Sequence, residues 1–413
     1  MLNVEKAVVI ARCGEPLIIA STAGQAKLVQ AAEAITAPGL ARLAELSGSP
    51  PGLVLTAQRV LALGAGGGQQ GGVVVMPSID GIEVAELHGL VDPTAEPADA
   101  LDHLARCEPA AAASCEAAAV RLATIAGLLP AALVAAPPPD VQDLVAWGRA
   151  RELPVVQVDE ILGYHSSIAL DLRPVIEARV PLAQAEDARV VAFRSEMGGV
   201  EHFAIIIGQP RTDQPVLARL HSECFTGDLL GSLRCDCGDQ LHRAIEVMAR
   251  AKGGGVLLYL AQEGRGIGLV NKLRAYVLQD RGFDTVEANE QLGFRPDERC
   301  YRPAAEMLRR LGFTKVRLMT NNPEKVAALV RYGIQVVQRV PLSLPPNTWN
   351  AAYLRTKAIR AGHLLDISEA DTTVHEHTSR ERTHAGQGSD RANADAGERS
   401  ALAGTRAARP VSG

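Results

Sequence analysis

The stretch HSECFTGDLLGSLRCDCG, residues 221–238, carries the most specific local signal in the chain. It places Cys224, Cys235 and Cys237 within 14 positions, and Gly238 favours a tight turn that draws the sulfurs of the Cys-x-Cys pair together. Zinc prefers soft sulfur ligands in tetrahedral geometry, and a catalytic zinc keeps one position open for water. Three thiolates without an obvious fourth ligand therefore predict an open zinc site.

Two other interpretations of this stretch stay open on spacing alone. A closed structural zinc knuckle would use His221 or Cys300 as its fourth ligand. Cysteine is also a common small residue of protein cores. The three cysteines here are flanked by Asp, Arg, Ser and Gly, which is not typical of a core segment.

Two downstream segments carry residues that could hold a nucleotide. In QEGRGIGLVNKLRAYVLQDRG, residues 262–282, three glycines free the backbone to approach a ligand ahead of a helix that ends near Asp280. In KVRLMTNNPEKVAALVRYG, residues 315–333, Asn321 or Asn322 caps a helix whose N-terminus could bind an anion. Ordinary helix capping explains the second segment equally well.

Length and charge exclude several classes of protein. The 413 residues suggest two domains, and the formal net charge of −5 argues against general nucleic-acid binding, which needs an excess of Lys and Arg. We find no secretory signal and no uncharged apolar window of about 18 residues, so we expect no membrane span. The seven cysteines, an odd number, argue against a disulfide framework and favour a reducing cytoplasm. The G-x-G-x-x-G match at 66–71 precedes a strand-like VVVM instead of a helix, which favours a simple loop.

Hydrophobic patterns divide the chain into two folded parts and a tail. Up to about residue 170, the pattern favours a layered α/β domain, with strands at 8–10, 53–55, 133–135 and 153–158, a helix at 112–128 and a helix capped by Asp140. From Arg189 onward, RVVAFRSEM, EHFAIIIGQP and VLARLHSEC predict antiparallel sheet, followed by alternating helices and strands. The polar tail cannot bury enough apolar surface to offset its ordering entropy, so we expect disorder there.

Seven sequence blocks, in order, resemble one enzyme family. RLHSEC, RCDCG, QEGRGIGL, NKLRAY, DTVEAN, LGF-x-x-DER and LMTNNPEK follow one another as they do in GTP cyclohydrolase II, over roughly residues 188–366. The resemblance implies hydrolysis of GTP to 2,5-diamino-6-hydroxy-4-(5-phosphoribosylamino)pyrimidine, formate and pyrophosphate, the first step of riboflavin biosynthesis. It also implies one Zn²⁺ per subunit, Mg²⁺ with the GTP phosphates, and a homodimer.

The resemblance assigns roles to the matching residues. The three cysteines would hold the zinc, Asp297 would be the proton acceptor, Arg299 the nucleophile toward the α-phosphate, and Tyr276 would lie near the purine and the metal. Because a guanidinium stays protonated in proteins, stabilising charge on the departing pyrophosphate is an easier role for Arg299. The GTP site would comprise Arg219, Leu220, His221, Ser222, Glu223, Gln240, Glu263, Gly264, Arg265, Thr285, Thr320 and Lys325.

Two alternatives differ in their chemistry. A related enzyme could stop at the formylamino intermediate, but members of that kind tend to replace the tyrosine that this chain keeps as Tyr276. A non-enzymatic zinc-containing binding module would leave Asp297 and Arg299 unexplained. We therefore expect the full cyclohydrolase reaction.

The first half resembles 3,4-dihydroxy-2-butanone 4-phosphate synthase through AVVIA, GLVLT and CEAAAVRLATIAGLLPAALV. The synthase's acidic, magnesium-binding run corresponds to ARCGEP at 11–16, where one acid is left, and its His-Thr-Glu corresponds to Ser114-Cys115-Glu116. Loss of several hard oxygen ligands should abolish magnesium binding. We expect a catalytically inactive scaffold, and the alternative is a bifunctional enzyme that also makes dihydroxybutanone phosphate.

The predicted fold class is therefore α/β and α+β. Residues 1–170 form a degenerate synthase-like α/β domain, 171–369 a mixed α/β cyclohydrolase domain with a zinc site, and 370–413 a disordered tail.

A direct assay tests the prediction for the first half. Purified protein given ribulose 5-phosphate and Mg²⁺ is expected to form no dihydroxybutanone phosphate, because the metal-binding acids are missing. Mass spectrometry of the reaction mixture, with heat-treated protein as control, checks this. Product above the control would establish the bifunctional enzyme instead.

Overall fold

Two seven-stranded sheets and the helices around them make up the described part of this computed structural model. That part comprises residues 4–65, 72–96, 104, 106–138, 140–342, 344–345, 347–350, 360, 362 and 364. The expected mixed α/β class is confirmed. The segment 66–71 and the tail 370–413, for which a loop and disorder were predicted, lie outside the described residues.

The first sheet belongs to the N-terminal part of the chain. Its strands are β1 (Leu17–Ala20), β2 (Ala26–Ala31), β3 (Gly52–Thr56), β4 (Val73–Met76), β5 (Glu108–Pro109), β6 (Ala131–Ala135) and β7 (Val155–Gln157). They lie in the order β5-β4-β3-β6-β2-β1-β7, and all neighbours are antiparallel except β1 and β7. The described helices of this part are α1 (Val4–Arg12), α2 (Ala37–Ser47), α3 (Ala57–Ala62), α4 (Val84–Val91), α5 (Cys115–Ile125), α6 (Leu144–Arg149) and α7 (Val158–Asp171).

Two expectations for this part are wrong. Residues 8–10 lie in α1 instead of a strand, because the buried side chains recur at helical spacing, at Val4, Ala7, Val8 and Ala11. Helix α6 is capped by Asp143 instead of Asp140, since the Asp143 Oδ1 accepts the Ala146 N–H at 3.0 Å. The strands expected at 53–55 and 133–135 are confirmed within β3 and β6.

The second sheet belongs to the C-terminal part. Its strands are β8 (Arg173–Arg179), β9 (Arg189–Ser195), β10 (Gly198–Ile207), β11 (Val216–Ser222), β12 (Gly255–Leu260), β13 (Lys315–Met319) and β14 (Gln335–Val340), in the order β14-β13-β11-β12-β10-β9-β8. The described α-helices are α8 (Cys237–Arg250), α9 (Leu269–Asp280), α10 (Thr285–Gln291), α11 (Arg302–Arg310) and α12 (Pro323–Arg331). Short turns at Phe225–Leu229 and Glu263–Gly266 follow β11 and β12.

The direction of β11 corrects the expected antiparallel sheet. Strands β8, β9, β10 and β12 do pair antiparallel, but β11 runs parallel to both β12 and β13. Six of its seven residues are buried, which is typical of a parallel strand covered on both faces. Helix α8 supplies the crossover connection that two parallel strands require.

One hydrophobic cluster joins the two parts of the chain. It combines residues around the first sheet with residues of the C-terminal part, namely Ile267, Ala275, Leu278, Ala288, Leu292 and Phe294. At its edge the Thr56 hydroxyl donates to the Gly293 carbonyl at 2.7 Å, and Arg59 donates to the Gln291 carbonyl at 3.0 Å. Met1–Asp366 forms one compact unit, and the domain boundary near residue 170 stays a prediction.

Among the described residues, no helix is both long enough and apolar enough to cross a membrane.

Alanine substitutions at two glycines with left-handed backbone test how tightly the two parts of the chain pack together. Gly293 has φ +83°, and a Cβ there would lie 2.8 Å from the Thr56 hydroxyl, whereas Gly282 has φ +106° with open space around it. Gly282→Ala is expected to cost about 1 kcal/mol of unfolding free energy through backbone strain. Gly293→Ala should cost about 1–3 kcal/mol more, because crowding adds to strain. Urea unfolding of both variants checks this, and equal losses would contradict a tight junction.

Candidate functional site

A cleft opens where β11, β12 and β13 end. Carboxyl ends of parallel strands meet at one sheet edge and commonly form ligand sites. The structure brings all of the predicted site residues to this cleft except Leu220 and Asp297. The predicted residues that line it are Arg219, His221, Ser222, Glu223, Cys224, Cys235, Cys237, Gln240, Glu263, Gly264, Arg265, Tyr276, Thr285, Arg299, Thr320 and Lys325.

The three cysteine sulfurs converge at one wall of the cleft. Cys224 precedes the turn Phe225–Leu229, and Cys235 and Cys237 lie at the start of α8. All three sulfurs lie within 4.8 Å of one another, and those of Cys224 and Cys235 are 3.7 Å apart. Tetrahedral zinc with Zn–S bonds of about 2.3 Å places its sulfurs about 3.8 Å apart, so the donor set fits zinc. Within the described residues, neither His221 nor Cys300 joins this group, which argues against the closed knuckle.

Gly227 leaves the space in which the sulfurs meet. A Cβ at this position would lie 2.8 Å from the Cys235 sulfur and 3.1 Å from the Cys224 sulfur. Real Cβ atoms essentially never approach a neighbour so closely. Any larger residue would therefore push the ligand atoms apart.

Asp228 holds the cysteine-bearing turn against the sheet. Its carboxylate accepts hydrogen bonds from the Cys224 N–H at 3.0 Å, the Tyr259 hydroxyl at 2.9 Å and the His221 Nε2 at 3.0 Å. Burial lowers the pKa of His221 and raises that of Tyr259, so both rings are neutral near pH 7. The His221 Nδ1 is buried and has no hydrogen-bond partner among the described residues, which leaves it available to a ligand.

Lys272 supplies the positive charge beside the sulfurs. Its ammonium donates to the Cys224 sulfur at 3.1 Å, the Thr226 hydroxyl at 2.9 Å and the Glu263 carboxylate at 2.9 Å. Hydrogen bonds with Cys235 and with the third cysteine, together with the Lys272 charge, lower the pKa of the Cys224 thiol. The thiolate form, which is the metal ligand, is thereby favoured.

Tyr276 lies one helical turn beyond Lys272 and faces the same cleft. Its hydroxyl lies 3.4 Å from the Thr226 hydroxyl, and the Arg234 guanidinium lies 4.9 Å from the centre of its ring. Burial raises the pKa of the phenol, so it is protonated at neutral pH and can donate a hydrogen bond.

Basic side chains line other parts of the cleft. The Arg219 guanidinium is buried, which lowers its pKa to about 10, and it donates to the Gln240 side chain at 2.6 Å. Its Nε has no hydrogen-bond partner among the described residues. The Lys325 ammonium donates to the Leu220 carbonyl at 2.7 Å, so Leu220 takes part through its main chain, outside the cleft lining.

Arg299 and Asp297 form a two-pronged ion pair at the edge of the cleft. The Arg299 Nε lies 2.9 Å and its Nη2 2.5 Å from the two carboxylate oxygens. Arg299 lines the cleft, whereas Asp297 lies in a neighbouring cavity with Arg121 and His165 of the first half. Burial alone would raise the pKa of Asp297, but the hydrogen bonds and charge of Arg299 outweigh it and the pKa is lowered.

Comparison with known proteins decides the family. A family model described as GTP cyclohydrolase II matches residues 173–341. GTP cyclohydrolase-2 of Azospirillum brasilense is 50% identical over 365 residues, which are 88% of this chain and 94% of that protein. The chain belongs to the GTP cyclohydrolase II family. It is therefore an enzyme of the GTP cyclohydrolase II type.

Other relatives match a smaller share of their own length. Riboflavin biosynthesis protein RibBA of Chlorobium phaeovibrioides is 44% identical over 257 residues, which are 61% of this chain and 62% of that protein. A solved two-domain 3,4-dihydroxy-2-butanone 4-phosphate synthase from A. baumannii aligns over 83% of this chain and 100% of its own, with 16% identity and a TM-score of 0.33. That likeness is too low to carry an argument.

Several residues of the GTP cyclohydrolase II cleft were not predicted. Lys272 could have been found from its place four residues before Tyr276, which puts both on one helix face. Asp228 carries no such signal, because it joins His221 and Cys224 of its own stretch to Tyr259 on the neighbouring strand β12. Other polar residues that line the cleft and were not predicted are Arg234, Asp236, Gln279 and Asn289. Asn321 and Asn322, considered in the sequence as caps of a helix that could bind an anion, also line it.

Gly227→Ala tests the sulfur geometry of the GTP cyclohydrolase II site. The added methyl group is expected to separate the cysteine sulfurs and to weaken metal binding about tenfold or more. Gly231→Ala, in the same loop at φ +63° with open space around it, adds backbone strain without crowding the sulfurs, so it serves as the control and should keep its metal. Zinc competition against a chromogenic chelator measures both. Equal zinc affinity in the two variants would show that the sulfurs do not form the metal site.

Proposed function

We propose that this enzyme is zinc-dependent and converts GTP to 2,5-diamino-6-hydroxy-4-(5-phosphoribosylamino)pyrimidine, formate and pyrophosphate. The observation that carries the proposal is the convergence of three cysteine sulfurs within 4.8 Å at a wall of a cleft that is also lined by arginines and lysines. Cys224, Cys235 and Cys237 would hold the ion. Bound there, zinc would supply the Lewis acidity that turns water into a nucleophile at neutral pH.

The residues beside the sulfurs suit the purine end of GTP. The Tyr276 phenol is protonated and can donate a hydrogen bond to the opening ring or to water. Lys272 favours the thiolate form of Cys224 and neutralises part of its charge. The Nδ1 of His221, which has no hydrogen-bond partner within the described part of the chain, offers a further hydrogen-bond position in the same cleft.

The basic residues suit the triphosphate. Arg219, Arg265, Arg299 and Lys325 all line the cleft, and guanidinium groups present paired donors to phosphate oxygens. Magnesium would share the phosphate charge, as phosphate ligands usually require. GTP is therefore expected to lie across the cleft between the cysteines and these cations.

The Arg299–Asp297 pair favours charge stabilisation over covalent attack. A guanidinium held by two carboxylate oxygens stays protonated and has no free electron pair with which to attack phosphorus. We propose that Arg299 stabilises the departing pyrophosphate. Asp297 orients the Arg299 guanidinium. The family resemblance implies that Asp297 accepts a proton, and it could do so only after its ion pair with Arg299 breaks.

A reaction that stops at the formylamino intermediate is the second candidate. It would release pyrophosphate but no formate. The position of Tyr276 beside the sulfur-bearing turn, 3.4 Å from the Thr226 hydroxyl, favours the complete reaction. Measuring both products from the same sample distinguishes the two.

The first half is proposed to be catalytically inactive. The one acid left in the 11–16 run, Glu15, is exposed and pairs with Arg42 at 2.5 Å. Ser114, at the position of the synthase histidine, caps helix α5 and its hydroxyl accepts the Ala117 N–H at 3.1 Å. Neither residue is arranged as a hard-metal ligand.

We further propose that the enzyme is a cytoplasmic homodimer. The seven cysteines are all free, which fits a reducing compartment. Helix α9 exposes Val270, Leu273 and Val277 along one face, an apolar surface of the kind that a second subunit covers. Light scattering at micromolar concentration tests the dimer.

Metal removal tests the proposed chemistry. Protein stripped with a chelator is expected to lose GTP turnover, and Zn²⁺ in the presence of Mg²⁺ should restore it, because water is too weak a nucleophile without a Lewis acid. Formate and pyrophosphate are measured together. Unchanged turnover by zinc-free protein would refute the zinc dependence, and pyrophosphate without formate would establish the truncated reaction.

Arg299→Lys tests the role of the ion pair. Lysine keeps the charge but cannot form the two-pronged contact, so we expect pyrophosphate release to slow by about tenfold or more. Arg302→Lys, at a nearby arginine that contacts Tyr332 outside the cleft, is the matched control. If pyrophosphate release by Arg299→Lys equalled that of the control, neither role for Arg299 would hold.

A further inference from the structure

Helix α9 lies between the cleft and the first half of the chain, and it presents a different face to each. Lys272, Tyr276 and Gln279 line the cleft at the spacing of one helix face. Asn271 and Leu278 are buried on another face, where Leu278 joins the cluster shared with the first sheet. Any movement of this helix relative to the first half would therefore move the cleft residues.

Helix α10 has the same arrangement. Thr285 and Asn289 line the cleft, while Ala288 belongs to the shared cluster. Leu292 and Phe294, which follow the helix, are buried in that cluster as well. The first half therefore supplies the core against which one wall of the cleft is packed.

Arg274 makes the most specific contact between α9 and the first half. Its Nε lies 2.9 Å from an Asp92 oxygen and its Nη2 lies 2.8 Å from a Glu33 oxygen. Its Nη1 donates to the Asn271 side chain at 2.7 Å, so every nitrogen of the guanidinium is used. The three charged side chains are between 18% and 19% exposed, which limits screening by water and salt.

The partners of Arg274 are themselves fixed in the first half. The second Glu33 oxygen accepts the Leu129 N–H at 2.5 Å, and Asp92 accepts from the Thr94 N–H at 2.8 Å. The Asn271 amide also donates to the Gly127 carbonyl at 3.1 Å. A planar guanidinium held at three points has little freedom to rotate or slide.

We propose that Arg274 is a positioning residue for the GTP cyclohydrolase reaction and that the inactive first half acts on catalysis through it. Glu33 and Asp92 fix Arg274, Arg274 fixes the rotation and axial position of α9, and α9 places Tyr276 and Lys272 in the cleft. The inference rests on the proposed roles of those two residues. Small displacements of reacting groups are costly, since about 1 Å can reduce a rate about a hundredfold.

Arg274→Met tests the proposal, because methionine keeps an unbranched apolar side chain and removes all three contacts. We expect kcat for GTP to fall about tenfold, with zinc content unchanged and KM changed less than kcat. Arg243→Met, on the exposed face of α8 where Arg243 pairs with Glu246, is the matched control and should keep the wild-type kcat. Both are assayed well below their melting temperatures.

Variants in the first half separate positioning from stability. Glu33 and Asp92 lie outside the cleft, and Glu33→Gln and Asp92→Asn should each lower kcat, as Arg274→Met does. Arg274→Lys keeps the charge and should retain part of the kcat that Arg274→Met loses. If Arg274→Met has a lower melting temperature but the wild-type kcat, the proposal is overturned. If Arg274→Met does not fold, wild-type kcat values in both Glu33→Gln and Asp92→Asn overturn it. Absence of formate production by the wild-type protein would instead refute the proposed function.

Discussion

Three cysteine sulfurs lie within 4.8 Å of one another, and the surrounding residues of the cleft hold them in that arrangement. Thiolates that share a site repel one another, so their charge must be offset where water is scarce. Lys272 offsets it at 3.1 Å from Cys224. Gly227 leaves the volume, and Asp228 ties the cysteine-bearing turn to the sheet through three hydrogen bonds. The proposed metal chemistry would therefore depend on residues that do not themselves bind the ion.

The two halves of the chain contribute differently to the cleft. The C-terminal half supplies all of the residues that line the cleft, whereas the first half supplies the core behind α9 and α10. The shared hydrophobic cluster and the ion pairs of Arg274 with Glu33 and Asp92 connect the first half to the elements that form the cleft. The support proposed for the first half therefore combines apolar packing with specific charge pairing.

Charge pairing explains why the cleft can carry many basic residues. Arg299 is balanced by Asp297 and Lys272 by Glu263, so these cations are held in place before substrate arrives. Arg219 is buried and its Nε has no partner among the residues that the structure describes, which is costly unless a ligand accepts that hydrogen. Preorganised donors of this kind avoid reorganisation during the reaction.

The sequence by itself determined the family, the mixed α/β class and the cysteine cluster, because ordered motifs and ligand types are local properties of the chain. It misplaced residues 8–10 and the direction of β11, since a short apolar run does not distinguish helix from strand and pairing direction depends on distant partners. Only the tertiary structure revealed Asp228 and the Arg274 contacts, whose partners lie as many as 241 residues away. Such contacts leave no periodic signal, because folding alone brings their partners together.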